Sequence, residues 1–202
     1  MLKNRKKFNN ILLIPIIILA LCILAAGCGK KEKVNYIGEV KDNTFNLNED
    51  KTIREIACQD FSDSNYDITG IKDSIKSDIK DYCGEDKKDA VKLLEYKEEN
   101  GLVRVAIDYN SIDDYNAFNG TSYADNQDYA AYGNEHMKDM SGNDINLFDI
   151  DFSSGEYKIF AADGEFNLNL NGQIEYYNAH AKLNSNSSAK LDGLGNAIII
   201  YK

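Results

Sequence analysis

Between residues 68 and 82 the apolar positions fall at steps of three and four: Ile68, Ile71, Ile75, Ile79 and Tyr82. A helix gathers residues so spaced into a single stripe. Lys72, Lys76, Lys80, Asp73, Asp78 and Asp81 occupy the other face, Asp67 stands where a helix cap belongs, and Gly84 supplies a stop. The pattern predicts an amphipathic helix with one face on a sheet and the other in water.

On either side the period drops to two. Residues 34–50 alternate weakly and end in the polar stretch Asn46-Leu47-Asn48-Glu49-Asp50, residues 52–58 read as a strand, and a polar loop follows to Asp67. Val91, Leu93 and Leu94 lie on one arm of an expected hairpin. Val103, Val105, Ile107 and Tyr109 alternate on the other, and Glu99-Asn100-Gly101 turns between them. Two short helices are expected next. Ser111 with Asp114 forms a capping box ahead of Tyr115 and Phe118, closed by Asn119-Gly120; Ser122 with Asp125 repeats the device ahead of Tyr129 and Tyr132, closed by Gly133. A looser segment runs to about Ser154. The last third reads as a β-meander: a strand at 157–161, turned by Asp163-Gly164 into 165–170, then by Asn171-Gly172 into 174–177, with weaker strands near 179–183 and 188–191. The final strand, Ala197 to Tyr201, is apolar almost throughout, as a central or well-covered strand is. The expected class is α+β: an antiparallel sheet with one main amphipathic helix, two short helices and a C-terminal β-meander.

The N-terminal pattern is of another kind. Lys3, Arg5, Lys6 and Lys7 precede an almost unbroken apolar run from Ile11 to Ala26, and no acid appears before Glu32. Basic start, apolar middle and small-residue end are the parts of an export signal. The run is shorter than the roughly 20 residues of a spanning helix, and Pro15 interrupts it. It ends in Leu24-Ala25-Ala26-Gly27-Cys28. This resembles the lipobox of bacterial lipoproteins, in which the cysteine sulfur receives a diacylglycerol and the chain is cut just before it. Ala25 departs from the pattern, since the family more often carries Leu there. The resemblance implies a signal peptide at 1–27, a lipidated N-terminus and short linker at 28–41 with Cys28 as the lipid site, and an extracytoplasmic domain at 42–202. The membrane is then a partner through the N-terminal lipid, with the domain facing outward. Two or more acyl chains hold a protein firmly where one does so only marginally.

Charge narrows the partners. The formal net charge is −10, and it becomes more negative when the four basic residues of the signal are removed. A nucleic-acid partner needs a basic face and is not expected. The abundance of Lys, Asn, Asp, Ile and Tyr suits a low-GC Gram-positive source. Beyond the signal and the lipid site only Cys58 and Cys83 remain. Placed near a strand end and at the far end of a helix about 22 Å long, they are expected to sit apart, since bridged α-carbons lie within about 7 Å.

Chemical motifs are sparse. His136 and His180 have no partner at ligand spacing, and Cys58 and Cys83 form no CxxC, so neither a metal nor another cofactor is expected. Asp139-x-Ser141-x-Asn143 opens like a calcium loop but lacks the later Gly and Glu. There is no Gly-x-Ser-x-Gly, and helix capping accounts for the acids Asp113 and Asp114. Asp149 and Asp151 fall in the ill-defined segment. The one lead is an aromatic cluster, with Tyr115, Tyr123, Tyr129 and Tyr132 as candidate ligand-binding residues for a protein, peptide or glycan, and Phe118 among them. Against that stands the ordinary use of such rings in docking two helices on a sheet.

Three further stretches, Asp114-Tyr115-x-x-Phe118-Asn119, Gly172-x-Ile174-x-Tyr176 and the terminal Ile199 to Lys202, give residues 50–202 a resemblance to small uncharacterised lipoproteins of Gram-positive anaerobes. That resemblance implies an address and no activity. The leading expectation is therefore a membrane-anchored, non-enzymatic binding or assembly module at the cell surface. The alternatives are an envelope-polymer hydrolase and a structural subunit of a membrane complex.

Overall fold

The computed structural model describes residues 34–62, 68–133, 135–153 and 155–202. The signal at 1–27, the Cys28 lipid site and the Asp67 cap lie outside the described residues. The unit treated below begins at Asn35.

Four strands and a helix form first along the chain: β1 (Thr44–Leu47), β2 (Ile53–Asp60), α1 (Ile71–Cys83), β3 (Val91–Glu99) and β4 (Leu102–Tyr109). The β3–β4 hairpin turns where expected, because Asn100 and Gly101 both take positive φ, 53° and 82°. Such a two-residue turn matches the twist of its strands. Helix α1 ends at Gly84, whose amide donates to the Lys80 carbonyl, and it begins after Gly70 at φ 96°. Its stripe of Ile71, Ile75, Ile79 and Tyr82 packs on the main core without any residue becoming fully buried.

The remainder corrects the α+β expectation: the fold is mostly β, with two sheets and, among the described residues, two α-helices. After α2 (Ile112–Asn119) come β5 (Ala124–Asn126), β6 (His136–Asp139), β7 (Asp144–Asn146), β8 (Lys158–Ala162), β9 (Asn167–Leu170), β10 (Ile174–Tyr177), β11 (Ala181–Leu183), β12 (Ser188–Leu191) and β13 (Ala197–Tyr201). Seven strands form one sheet, in the order β11-β12-β9-β1-β2-β4-β3. Six form the other, in the order β5-β8-β13-β10-β6-β7. All described pairings are antiparallel except β1 with β9.

Two specific expectations fail for identifiable reasons. The capping box at Ser122 does not start a helix. Asn116 instead holds Tyr123 like a paired strand, its amide donating to the Tyr123 carbonyl at 2.7 Å and accepting the Tyr123 N–H at 2.9 Å. Ala124–Asn126 then joins β8, and only a short 3₁₀ turn forms at Tyr129–Tyr132. Long-range pairing here outweighs a local cap. The C-terminal strands exist, but not as a meander. β8, β10 and β13 belong to the six-stranded sheet while β9, β11 and β12 belong to the seven-stranded one, so the chain crosses between sheets at Asp163-Gly164 and again at Asn171-Gly172.

The sheets face each other across one core. Phe45, Ile53, Val105, Tyr109 and Leu168 come from the first sheet, and Phe160, Ala162, Ile199 and Tyr201 from the second. α1 and α2 cover the β3–β4 end of the same layer. Strand β13 is buried on both faces, for Ile198 and Ile200 enter a second cluster with Met137, Leu147, Ile150 and Ile159. That is why its sequence does not alternate. A third cluster lies on the outer face of the seven-stranded sheet, where Ile37 covers Ile56 and Ala106.

Candidate functional site

Strand β2 alternates Ile53, Glu55 and Ala57 on the face toward the main core. Glu55 therefore sits opposite Ile107 and among aromatic rings. The Tyr109 hydroxyl donates to its carboxylate at 2.9 Å and the Tyr115 hydroxyl at 3.4 Å. Asn119 donates in turn to the Tyr109 oxygen at 3.2 Å. Among the described residues no Lys, Arg or His forms an ion pair with Glu55. Burial raises its pKa, and the two tyrosine hydrogen bonds offset this only in part. Burial, followed by the Glu55 charge, also drives the Tyr109 and Tyr115 hydroxyls well above the usual tyrosine range.

Glu55 nonetheless keeps part of its surface, and that surface faces a pocket of about 210 Å³. Phe45, Tyr115, Tyr123 and Phe166 wall it, all less than 10 % exposed, while Asn43 and Glu165 are exposed lining residues at its mouth. The walls support one another. Phe45 meets Tyr115 edge-on at 5.0 Å, Tyr115 stacks on Tyr123 at 5.4 Å, and Phe166 closes the ring against Phe45 and Tyr123 at 5.5 and 5.6 Å. Gly164 is required at this corner, since a Cβ there would collide with the Tyr123 hydroxyl and the Phe166 ring. Helix α2 carries Tyr115 inward and is capped by Ser111, whose hydroxyl accepts the Asp114 N–H at 3.1 Å and donates to the Asp114 carboxylate at 2.8 Å, so the cap forms without the reciprocal bond of a capping box.

The four candidate tyrosines thus divide into two pairs. Tyr115 and Tyr123 enter the main core and line the pocket. Tyr132 packs on the second cluster, and Tyr129, 43 % exposed, stacks on Phe152 at 4.3 Å. Glu55 escaped the sequence reading. Its signal was its place on the same period-two face as Ile53, opposite a wholly apolar stretch of β4.

Several other polar features have local partners, although the buried Arg104 Nε has none among the described residues. An open groove of about 630 Å³ holds Arg54, but its guanidinium is engaged by both oxygens of Asp108 at 2.7 and 2.9 Å. That groove is larger than the Glu55 pocket, yet its central charges already have partners. Asp139 accepts from the amides of Ser141 and Asn143 and from the Asn143 side chain, which makes it a hairpin clasp. No three His, Cys, Asp or Glu side chains among the described residues converge to hold a metal ion. His180 Nδ1 lies 3.2 and 3.3 Å from the Asp192 oxygens, and its Nε2 edge rests against Gly195. The Cys58 thiol points to the Val40 and Asp42 carbonyls, and the Cys83 thiol points to the Val91 carbonyl; both are free. Among the described residues no helix is long and apolar enough to cross a membrane.

No family profile matches the chain, no curated protein is significantly similar to it, and no solved structure matches it.

Proposed function

We propose that this chain is a lipid-anchored, non-enzymatic binding module displayed on the outer side of a cell membrane, with its ligand entering the pocket beside Glu55. The anchor rests on the lipobox-like run ending in Cys28. The observation that carries the binding role is the pocket itself. A partly buried glutamate that lines a pocket, has no cationic partner among the described residues and is walled by aromatic rings is the arrangement of a ligand site. A hydrolase gains the His180–Asp192 pair, but that histidine's remaining nitrogen meets Gly195 rather than a nucleophile. A structural subunit would be supported by a broad apolar surface. The large exposed apolar side chains among the described residues, such as Met140, Phe148 and Leu194, are few.

One experiment tests both halves. Cells expressing the protein and its Cys28→Ala variant are labelled with a fatty-acid probe and fractionated. The protein is expected in the membrane fraction with label, and the variant unlabelled and released. The released variant is then applied to arrays of envelope peptides and glycans, alone and with Tyr123→Leu added. Retention that Tyr123→Leu abolishes supports the pocket. Retained lipid label on Cys28→Ala rules out the anchor, and retention unaffected by Tyr123→Leu rules out the pocket.

A further inference from the structure

Resting on that reading of the pocket, we infer that its ligand presents a small organic ammonium group, held by the Glu55 carboxylate and by the faces and edges of Phe45, Tyr115, Tyr123 and Phe166. Four observations converge on this chemistry. First, Glu55 is a carboxylate withdrawn from bulk water with no cation beside it among the described residues. Burying an unpaired charge is expensive, and an occupant bearing a positive charge removes that cost. Second, both tyrosine hydroxyls donate to Glu55, so the hydrogen-bonding around it supports the anion. Those donors also leave no matching site for an anionic ligand.

Third, four aromatic rings supply most of the rest of the inner wall, beside Thr44 and Gly164. Aromatic rings attract a cation electrostatically, most strongly when it is desolvated, and they bury the alkyl part of an ammonium at the same time. A metal ion would need several oxygen ligands, and among the lining residues the only carboxylate besides Glu55 is the exposed Glu165, which pairs with Lys190. Fourth, the size suits a headgroup. About 210 Å³ falls below the roughly 300–1,000 Å³ of sites that engulf drug-sized ligands. Acidic groups also lie near the mouth: Glu165 is an exposed lining residue paired to Lys190 at 3.2 Å, and the exposed Asp163 acts on the Tyr123 hydroxyl from outside the pocket. A cation approaching the pocket meets an acidic rim on an acidic protein.

Binding then carries a proton signature. The groups facing Glu55 are Tyr109 from β4, Tyr115 from α2 and Tyr123 from the segment before β5, with Asp163, Glu165 and Lys190 farther out. Burial raises the Glu55 pKa in the empty protein. A bound cation favours the ionised form and lowers that pKa, so binding releases protons and tightens as pH rises through the unliganded value.

The test uses two probes of matched shape, tert-butylammonium and tert-butanol, titrated calorimetrically into the released Cys28→Ala protein in buffers of different ionisation enthalpy. The ammonium is expected to bind on the order of tenfold tighter than the alcohol, with proton release, and to lose that advantage in Glu55→Gln. Tyr123→Leu, which leaves the carboxylate in place, is expected to weaken both probes. A chitosan oligomer compared with its fully N-acetylated form tells whether the amine is also accepted on a polymer, and a preference for the free amine form supports the inference in that setting. Equal affinity for tert-butylammonium and tert-butanol, or ammonium binding unchanged by Glu55→Gln in a variant whose circular dichroism is native, overturns it. Should the amines fail while array ligands still depend on Tyr123, the binding role stands and the ammonium assignment falls. Failure of both removes the pocket from function altogether.

Discussion

Glu55 is held in a balance that a stability measurement can read. Its carboxylate accepts two tyrosine hydroxyls, which favour the charge, yet burial dominates and the folded-state pKa lies above the ordinary one. A group with a raised folded pKa adds stability when protonated, below its unfolded pKa, and that contribution is lost as pH rises through the folded value. At neutral pH, above the ordinary carboxylate range, the burial of Glu55 therefore works against folding. Glu55→Gln keeps the shape and an acceptor for Tyr109, and is expected to stabilise the protein at pH 7 by about 1 kcal/mol, the scale of one relieved polar desolvation. The gain is expected to vanish near pH 3. Thermal unfolding of both proteins across that range checks it, and a Glu55→Gln variant less stable at pH 7 than at pH 3, relative to the parent, refutes the argument. A residue that weakens the fold where a neutral one would strengthen it fits a binding group better than a packing group. The sequence brought Tyr115 and Tyr123 forward but not Glu55. The other face of β2, Arg54-Ile56-Cys58, is as mixed as Ile53-Glu55-Ala57, so alternation alone does not say which face is inward.

At the level of elements, local signals were legible and partnerships were not. The stripe of α1, its Gly84 stop, the Ser111 cap and the Asn100-Gly101 turn are all short-range facts, and each appears in the structure. The strands at 124–126, 136–139 and 144–146 were invisible because they are three or four residues long and polar. Asp163-Gly164 and Asn171-Gly172 do separate strands, but not as turns of a meander, because a dipeptide cannot encode which sheet the next strand joins. Gly172 shows the difference. Its φ is not in the left-handed region, so it is not there to make a hairpin turn. It lets the chain pass close to the end of β13, where a Cβ would lie 2.7 Å from the Tyr201 ring and 2.8 Å from the Lys202 carbonyl. The flanking bonds between Gln173 and Lys202 fix that approach from both directions. Gly172→Ala is accordingly expected to destabilise by about 1–3 kcal/mol, the range for overpacking. A turn glycine in an exposed meander would tolerate the change. Urea unfolding decides, and a midpoint equal to the parent's would return Gly172 to the role of a simple turn.

For the molecule as a whole, the outer face of the seven-stranded sheet shows how the N-terminal segment is built in. The bulge at Leu93/Glu95 turns two consecutive side chains to that face. Leu94 packs with Ile56, Ala106 and the fully buried Ile37, while the Glu95 carboxylate accepts the amides of Tyr36 and Ile37 at 2.8 and 3.1 Å. The Arg54 guanidinium lies 4.7 Å from the centre of the Tyr36 ring. Residues 36–40 are thus part of the fold, although the sequence pattern placed them in the linker, and the pocket beside Glu55 opens on the opposite face of the same sheet. A chain beginning at residue 42 is expected to be less stable than one beginning at residue 35 by about 2–5 kcal/mol, since it uncovers what a buried isoleucine covers. Acid is expected to narrow the difference. Burial works against the Glu95 charge, but the Ile37 and Tyr36 amides and Lys97 outweigh it and hold its pKa below the usual range. A lowered folded pKa gives stability that is present above the unfolded value and lost as pH falls through the folded one. The clasp on Tyr36 and Ile37 therefore loosens at low pH, where Glu55 is at its least disruptive. Urea midpoints of the two chains at pH 7 and pH 3 measure this directly. Equal midpoints at pH 7 would mean that the segment only drapes over the sheet, and a tether pulling on it would then transmit nothing to the strand that carries Glu55.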